Sequence, residues 1–257
     1  MKYNEVNSLV KGIPFTTERN AEKLYNFIID NKIQNVLELG FAHGTASCYI
    51  AAALDEQKSG HLVAVDLIAA ENSFTPTIHD LLKKTGLASY VTIARENTGY
   101  NWFMHGEIER NSKNYVCTSK YDLVIIDGPK NWTIDGCAFF LADKLLNENG
   151  WIIFDDYNWT YAGEAKNGHK ESDGIQHTSL SADEFNKPQI KEIFQLLVMQ
   201  HPDYANFKIH GEGDWAWAQK VSNSSVKKLD LEYNVTYKDV FSRIFRVINR
   251  IFKFRKV

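Results

Sequence analysis

Apolar residues in this chain fall into short runs separated by stretches of helical periodicity. Asn35 to Leu39 (NVLEL), His61 to Leu67 (HLVAVDL), Val91 to Ala94, Tyr121 to Asp127 (YDLVIID) and Trp151 to Asp155 (WIIFD) each read as a strand. The runs are nearly unbroken rather than alternating, which marks strands covered on both faces, as in a parallel sheet. Thr16 to Asn31 opens on threonines able to cap a helix and places Ala21, Leu24, Tyr25 and Ile28 at helical spacing. Gly44 to Leu54 is alanine-rich and free of proline, and helices are also predicted over residues 79–85, 133–146 and 189–200. Near the end, FKIHGEGDWAWAQKV predicts two strands about a turn at Gly211 to Asp214. The whole is an α/β pattern: a mostly parallel sheet with helices on both faces and a closing antiparallel hairpin. In open sheets of this kind ligands bind beyond the carboxyl ends of the strands.

The first of those strand ends is the most informative. Val36 to Gly44 reads VLELGFAHG, so an apolar strand breaks into a turn with Glu38, Gly40 and Gly44 at fixed spacing before a helix. Glycine has no Cβ, and backbone N–H groups can therefore approach a ligand closely there. The nicotinamide fingerprint needs three glycines as G-x-G-x-x-G, and this turn has two. Its spacing resembles the first motif of class I S-adenosylmethionine (SAM) methyltransferases. That resemblance implies a Rossmann-like fold with a seven-stranded, mostly parallel sheet. It also implies SAM as cofactor, with Glu38 and Gly40 facing its methionine part and Ala42 and Gly44 in the same cofactor-binding turn. Asp66 ends the second strand, where an acid can accept hydrogen bonds from both ribose hydroxyls. Glu96 and Asn97, after the third strand, stand where the family contacts adenine.

Strand four ends in IDGPKNW and strand five in FDDYNW, which brings Asp127, Asp155 and Asp156 to one edge of the sheet. Three crowded carboxylates raise one another's pKa unless a cation compensates, and all-oxygen ligands select Mg²⁺ or Mn²⁺ over zinc. The arrangement resembles metal-dependent O-methyltransferases of the catechol type and of the macrocin or cephalosporin-hydroxylase-like type. The double aspartate is nearer the second branch. The catechol type places a basic lysine three residues after the strand-four aspartate, and Lys130 stands there. The expectation is a divalent ion on Asp127, Asp155 and Asp156 that chelates an acceptor diol, with Lys130 lowered in pKa and taking the proton. His169 and His177 are competing bases, because histidine titrates near neutrality. Tyr157, Trp159, Tyr161 and Trp132 form an aromatic group suited to a sugar face or to lid packing. The expected acceptor is a carbohydrate, nucleotide-linked or glycosylated, destined for a surface polysaccharide or a natural product. A catechol or phenol acceptor, a non-catalytic SAM or nucleotide binder, and another Rossmann-like enzyme stay open.

Composition narrows the classes further. A chain of 257 residues fits one domain, and a net charge of -3 gives no electrostatic footprint for nucleic acid. No run approaches the length of a membrane span and no signal peptide opens the chain, so the expected location is cytoplasmic. Cys48, Cys117 and Cys137 have neither disulfide nor zinc spacing. The expected organisation is a methyltransferase domain over 1–220, with 157–188 as a substrate or lid insertion, followed by a linker and a C-terminal helix within 221–257. Residues 237–256 are basic and amphipathic, fit to lie on an anionic membrane or to pack against protein. A homo-oligomer is expected.

Overall fold

The computed structural model describes residues 1–211 and 214–222. The chain runs α1 (Tyr3–Val10), α2 (Glu18–Asp30), β1 (Asn35–Leu39), α3 (Thr45–Gln57), β2 (His61–Leu67), α4 (Ile78–Thr85), β3 (Val91–Glu96) and α5 (Tyr100–Asn111). A small hairpin follows, β4 (Ser112–Lys113) and β5 (Val116–Cys117), and then β6 (Tyr121–Ile126), α6 (Trp132–Leu145) and β7 (Leu146–Phe154). The remaining elements are α7 (Tyr161–Ala165), β8 (Glu171–Ser172), β9 (Ile175–Gln176), α8 (Ala182–Asn186), α9 (Gln189–Ile193), β10 (Tyr204–His210) and β11 (Trp215–Lys220).

Seven strands form one sheet in the order β10-β11-β7-β6-β1-β2-β3. Strands β3, β2, β1, β6 and β7 are mutually parallel, and β11 runs antiparallel to both β7 and β10. Residues of β1 alternate between two cores, which explains its continuous apolarity. Val36 joins Leu24, Ile28 and Ile50 of α2 and α3 on one face, while Leu37 and Leu39 join Met104, Ala138 and Phe139 of α5 and α6 on the other. The chain builds outward from β1 to β3, then crosses back to lay β6 against the free side of β1. The crevice between the carboxyl ends of β1 and β6 is therefore the topological switch point of the sheet.

The expected sheet and hairpin are those observed. Two regions differ in detail. The segment 157–188, for which the sequence predicts no elements, holds α7, the β8–β9 hairpin and α8, with Asp173 (φ 48) and Gly174 (φ 81) as the two turn residues. Asp-Gly with both φ positive suits a tight hairpin turn. The helix expected over 189–200 is α9 followed by a π-helical turn at Phe194–Val198. The helix expected over 237–256 lies outside the described residues. Among the described residues no helix is long and apolar enough to cross a membrane.

Candidate active site

Backbone ladder bonds continue one residue past each central strand and align the site. Gly40 N donates to Val65 O (2.8 Å), Asp127 N to Leu39 O (2.8 Å) and Asp155 N to Ile126 O (3.1 Å). Gly40, Asp127 and Asp155 thus stand side by side along the carboxyl edge. Gly40 has φ +90, and a Cβ there would overlap the Asp127 carbonyl, so only glycine lets the turn rest on the end of β6. Gly44 (φ +83) begins α3, and a Cβ on it would overlap the Ile78 side chain.

Asp66 organises this turn from the neighbouring strand. Its Oδ2 accepts from Phe41 N (3.2 Å) and Ala42 N (3.0 Å), and its Oδ1 accepts from Leu67 N (2.7 Å). Arg95 Nη1 lies 3.9 Å from Asp66 Oδ2 and donates to Leu67 O at 3.0 Å, with the guanidinium 4.4 Å above the Phe41 ring. The buried Arg95 Nε has no hydrogen-bond partner among the described residues. Glu38 is buried and accepts from Ser47 Oγ. Burial pushes its carboxyl up to about 8, against the Ser47 hydrogen bond and with help from Asp127 and Asp66. Glu96 ends β3 in register with Leu67, and Asn97 is exposed just beyond it.

Pro14, Phe15 and Thr16 line the small cleft over this turn together with Glu38, Gly40, Ala42 and Asp127. Phe15 (φ 73) is 65% exposed, and its ring meets His43 and Phe74, each at 5.7 Å. His43 Nδ1 lies 2.7 Å from Pro76 O and therefore carries a proton. A larger cleft of about 490 Å³ lies away from the strand ends, between α2 and β10–β11 with Trp217 and Lys208 in its wall. Size alone would select it, yet the switch-point crevice is where glycine turn, carboxylates and strand ends coincide.

The acceptor side is built around one lysine. Lys130 Nζ lies 3.3 Å from Asp127 Oδ1, 3.2 Å from Asp156 Oδ2 and 3.5 Å from Asp173 Oδ2. Asp173 arrives from the β8–β9 turn, so the insertion closes onto the sheet edge. Asp155 Oδ1 accepts from Asp156 N at 2.8 Å. The loop bearing Lys130 is clamped at several points. Tyr161 Oη donates to Pro129 O (2.7 Å), Asn131 N donates to Asp135 Oδ2 (2.7 Å), and Tyr100 Oη donates to Asp135. Gly128 lies so close to Tyr100 and Asp135 that a Cβ would overlap both.

Electrostatics at Lys130 run opposite to the expectation from sequence. Burial alone would lower the ammonium's pKa, but Asp127, Asp156 and Asp173 outweigh it and hold the pKa well above the ordinary lysine value. The shift is opposite in direction to the lowering that a lysine base would need. Burial raises Asp127 to about 6, with Lys130 opposing and Asp156 adding, and burial together with Asp127 and Asp156 drives Asp155 well up. Among the described residues no group of three acidic, histidine or cysteine side chains is arranged to hold a metal ion. The expected divalent site on Asp127, Asp155 and Asp156 does not fit these residues as they stand, because the Lys130 ammonium lies between Asp127 and Asp156.

Two other expected residues are not bonded to the lysine cluster, although the His177 ring packs against Tyr161. His169 pairs with Glu164, and His177 Nε2 lies 2.9 Å from Ser172 Oγ; no hydrogen bond or ion pair among the described residues links either to Lys130. Tyr157 and Tyr161 are buried and serve packing, Tyr157 against Phe194. Trp132 is 39% exposed and Trp159 partly so, which leaves these two rings for an acceptor. Sequence reasoning missed Asp173, Phe15 and the Tyr100–Asp135 pair. Asp173 had a readable signal, the Asp-Gly turn; the others depend on contacts between distant segments.

Comparison with known proteins agrees with this geometry. Residues 37–157 match the family described as a methyltransferase domain. No curated protein sequence matches the chain. Among solved structures, the chain resembles the O-methyltransferase TomG from Streptomyces achromogenes, determined in complex with SAM. The two are 16% identical with a TM-score of 0.57, over 86% of this chain and 92% of that one. The SAH-bound methyltransferase PaMTH1 from Podospora anserina is 14% identical with a TM-score of 0.58, over 86% of this chain and 87% of that one. An O-methyltransferase from Bacillus cereus in complex with SAH is 16% identical with a TM-score of 0.56, over 84% and 87%. With its glycine turn at the switch point of the sheet and a match to a methyltransferase domain over residues 37–157, the chain has the fold of the class I SAM-dependent methyltransferases and resembles them in the cofactor half of the crevice.

Proposed function

We propose that this protein transfers a methyl group from SAM to a hydroxyl of a small, neutral, polyhydroxylated acceptor of the carbohydrate class. The observation that carries the reading is the Lys130 cluster, three carboxylates around one ammonium, set directly beside the Gly40 turn through Asp127. The cradle fits the cofactor. Gly40 lets the turn pack directly on the end of β6, the N-terminus of α3 faces the turn, and Asp66 stands one strand away for ribose hydroxyls. Bound there, SAM supplies an electrophilic methyl and its own leaving group.

The chain's own residues then align and deprotonate the hydroxyl. Asp127 and Asp156 accept hydrogen bonds from neighbouring acceptor hydroxyls, and one carboxylate takes the proton as the C–O bond forms. Lys130 remains an ammonium and stabilises the charge that develops on the reacting oxygen. An excess of carboxylates over ammonium disfavours an anionic group at this point, so any phosphate of a nucleotide-linked sugar would lie away from it. Trp132 and Trp159 offer ring faces for a sugar.

The test is thermal unfolding with SAM, S-adenosylhomocysteine, NAD and sugar nucleotides, followed by methyl transfer from labelled SAM to neutral sugars, sugar nucleotides and catechols. SAM at a hundredfold its Kd should add about 2.7 kcal/mol of stability. Stabilisation by NAD without SAM would sink the reading, and methylation of catechols alone would move the acceptor class.

A further inference from the structure

The residues that meet at the Lys130 ammonium share an uncommon backbone. Lys130 (φ 58), Asp156 (φ 55) and Asp173 (φ 48) all occupy the left-handed region. That region is unfavourable for any residue with a Cβ, and lysine has no short polar side chain to offset the cost locally. Such strain gathers at functional sites, where surrounding structure holds it in place. Here three separate segments, the β6–α6 loop, the end of β7 and the β8–β9 turn, each accept it and bring their charges within 3.5 Å of one point.

That point is already filled. An ion bound by the same carboxylates would lie about 2.0–2.6 Å from their oxygens, within the space the ammonium takes. The ammonium is also tied down, because Tyr161, Asp135 and Tyr100 fix the loop that carries it.

We propose that the Lys130 ammonium is the resident cation of this site. It pairs with Asp127, Asp156 and Asp173 and offsets part of their charge in the position a divalent ion would otherwise take, and the acceptor end functions without one. The inference rests on the acceptor-end assignment made under the proposed function, and it goes further by assigning the cation. The ligand class that follows is a neutral hydroxyl-bearing group, held by hydrogen bonds to an ammonium and carboxylates rather than by chelation.

Chelator-treated full-length protein is titrated with Mn²⁺ and the free-ion electron paramagnetic resonance signal is followed. Wild type, Lys130→Met and Lys130→Met/Asp156→Asn are compared. Wild type should show no saturable site at millimolar Mn²⁺. Lys130→Met should gain one, tighter by about tenfold or more, which is about 1.4 kcal/mol, and the double variant should lose it. Saturable binding by wild type that Lys130→Met does not strengthen overturns the proposal. If Lys130→Met does not fold, wild type and Lys130→Arg decide: saturable Mn²⁺ binding by either overturns it, and absence in both upholds it. Thermal shifts with SAM on the same samples keep the two readings apart. A wild type stabilised by SAM that also binds Mn²⁺ counts against the Lys130 assignment, and one unmoved by SAM counts against methyl transfer.

Discussion

The two halves of the switch-point crevice are built by different means. The cofactor half is made of backbone: two glycines at positive φ, N–H groups of Phe41 and Ala42, and the start of α3, with Asp66 as organising acceptor. The acceptor half is made of charged side chains on strained, non-glycine backbone, drawn from segments up to 46 residues apart between Asp127 and Asp173. A backbone cradle is specified locally and suits an invariant ligand. A charge cluster is specified by tertiary assembly, and any of its members can change without rebuilding the fold.

If that contrast holds, the largest effect belongs to Gly40→Ala. A methyl group must displace the end of β6 while the turn keeps φ +90, so stability should fall by about 3–5 kcal/mol or folding should fail. Denaturant unfolding measures this, and a near-native midpoint would remove the close-approach argument.

Glu38→Gln comes next and depends on pH. The buried carboxyl is raised from its ordinary 4.5 to about 8, so the folded state holds its proton more tightly than the unfolded chain does. Wild-type stability should therefore decline as pH rises through that interval, at up to about 1.4 kcal/mol per pH unit. The amide variant lacks this decline. It should match wild type near pH 4 and exceed it by a few kcal/mol near pH 8; parallel pH profiles would show that Glu38 does not titrate this way.

Asp66→Ala leaves two N–H groups of the turn without their acceptor, at a cost of about 1–3 kcal/mol. Calorimetric titration should also show SAM affinity weakened by roughly tenfold or more, about 1.4 kcal/mol. A destabilised variant with unchanged SAM affinity would confine Asp66 to holding the turn. The smallest effect is expected of Asp173→Asn, because that carboxylate is more than half exposed. Global stability should change by less than about 1 kcal/mol, while hydrogen exchange quickens in residues 171–176 alone. Equal quickening across the domain would mean the hairpin is part of the core.

The sequence made the cofactor half legible because its signals are local. Gly40 and Gly44 announce a close turn, Asp66 follows at the next strand end, and the apolar runs order themselves into a parallel sheet with a closing hairpin. The acceptor half was legible only as residue types. Asp127, Asp155, Asp156 and Lys130 could be placed at one edge, but the sign of the Lys130 shift depends on how many carboxylates reach its Nζ. The one from the insertion, Asp173, carries no sequence mark that ties it to Lys130. Tyr157 and Tyr161 take the packing alternative that the sequence left open: aromatic residues near a site look alike in sequence whether they face a ligand or, as here, the interior. Phe15 carried no warning, since its place over the turn is set by contacts with His43 and Phe74 from other segments.

Asp127 belongs to both halves, its carbonyl lying against Gly40 and its carboxylate against Lys130. Every amino acid brings the same carbonyl, so the support this position gives the glycine turn and the charge it gives the Lys130 cluster are carried by different atoms of one residue. Substitution at Asp127 therefore separates the two halves: Asp127→Asn keeps the main-chain contact under the turn while removing the charge opposite it. The coupling between donor seat and acceptor end is thus a property of where one residue's main chain and side chain point.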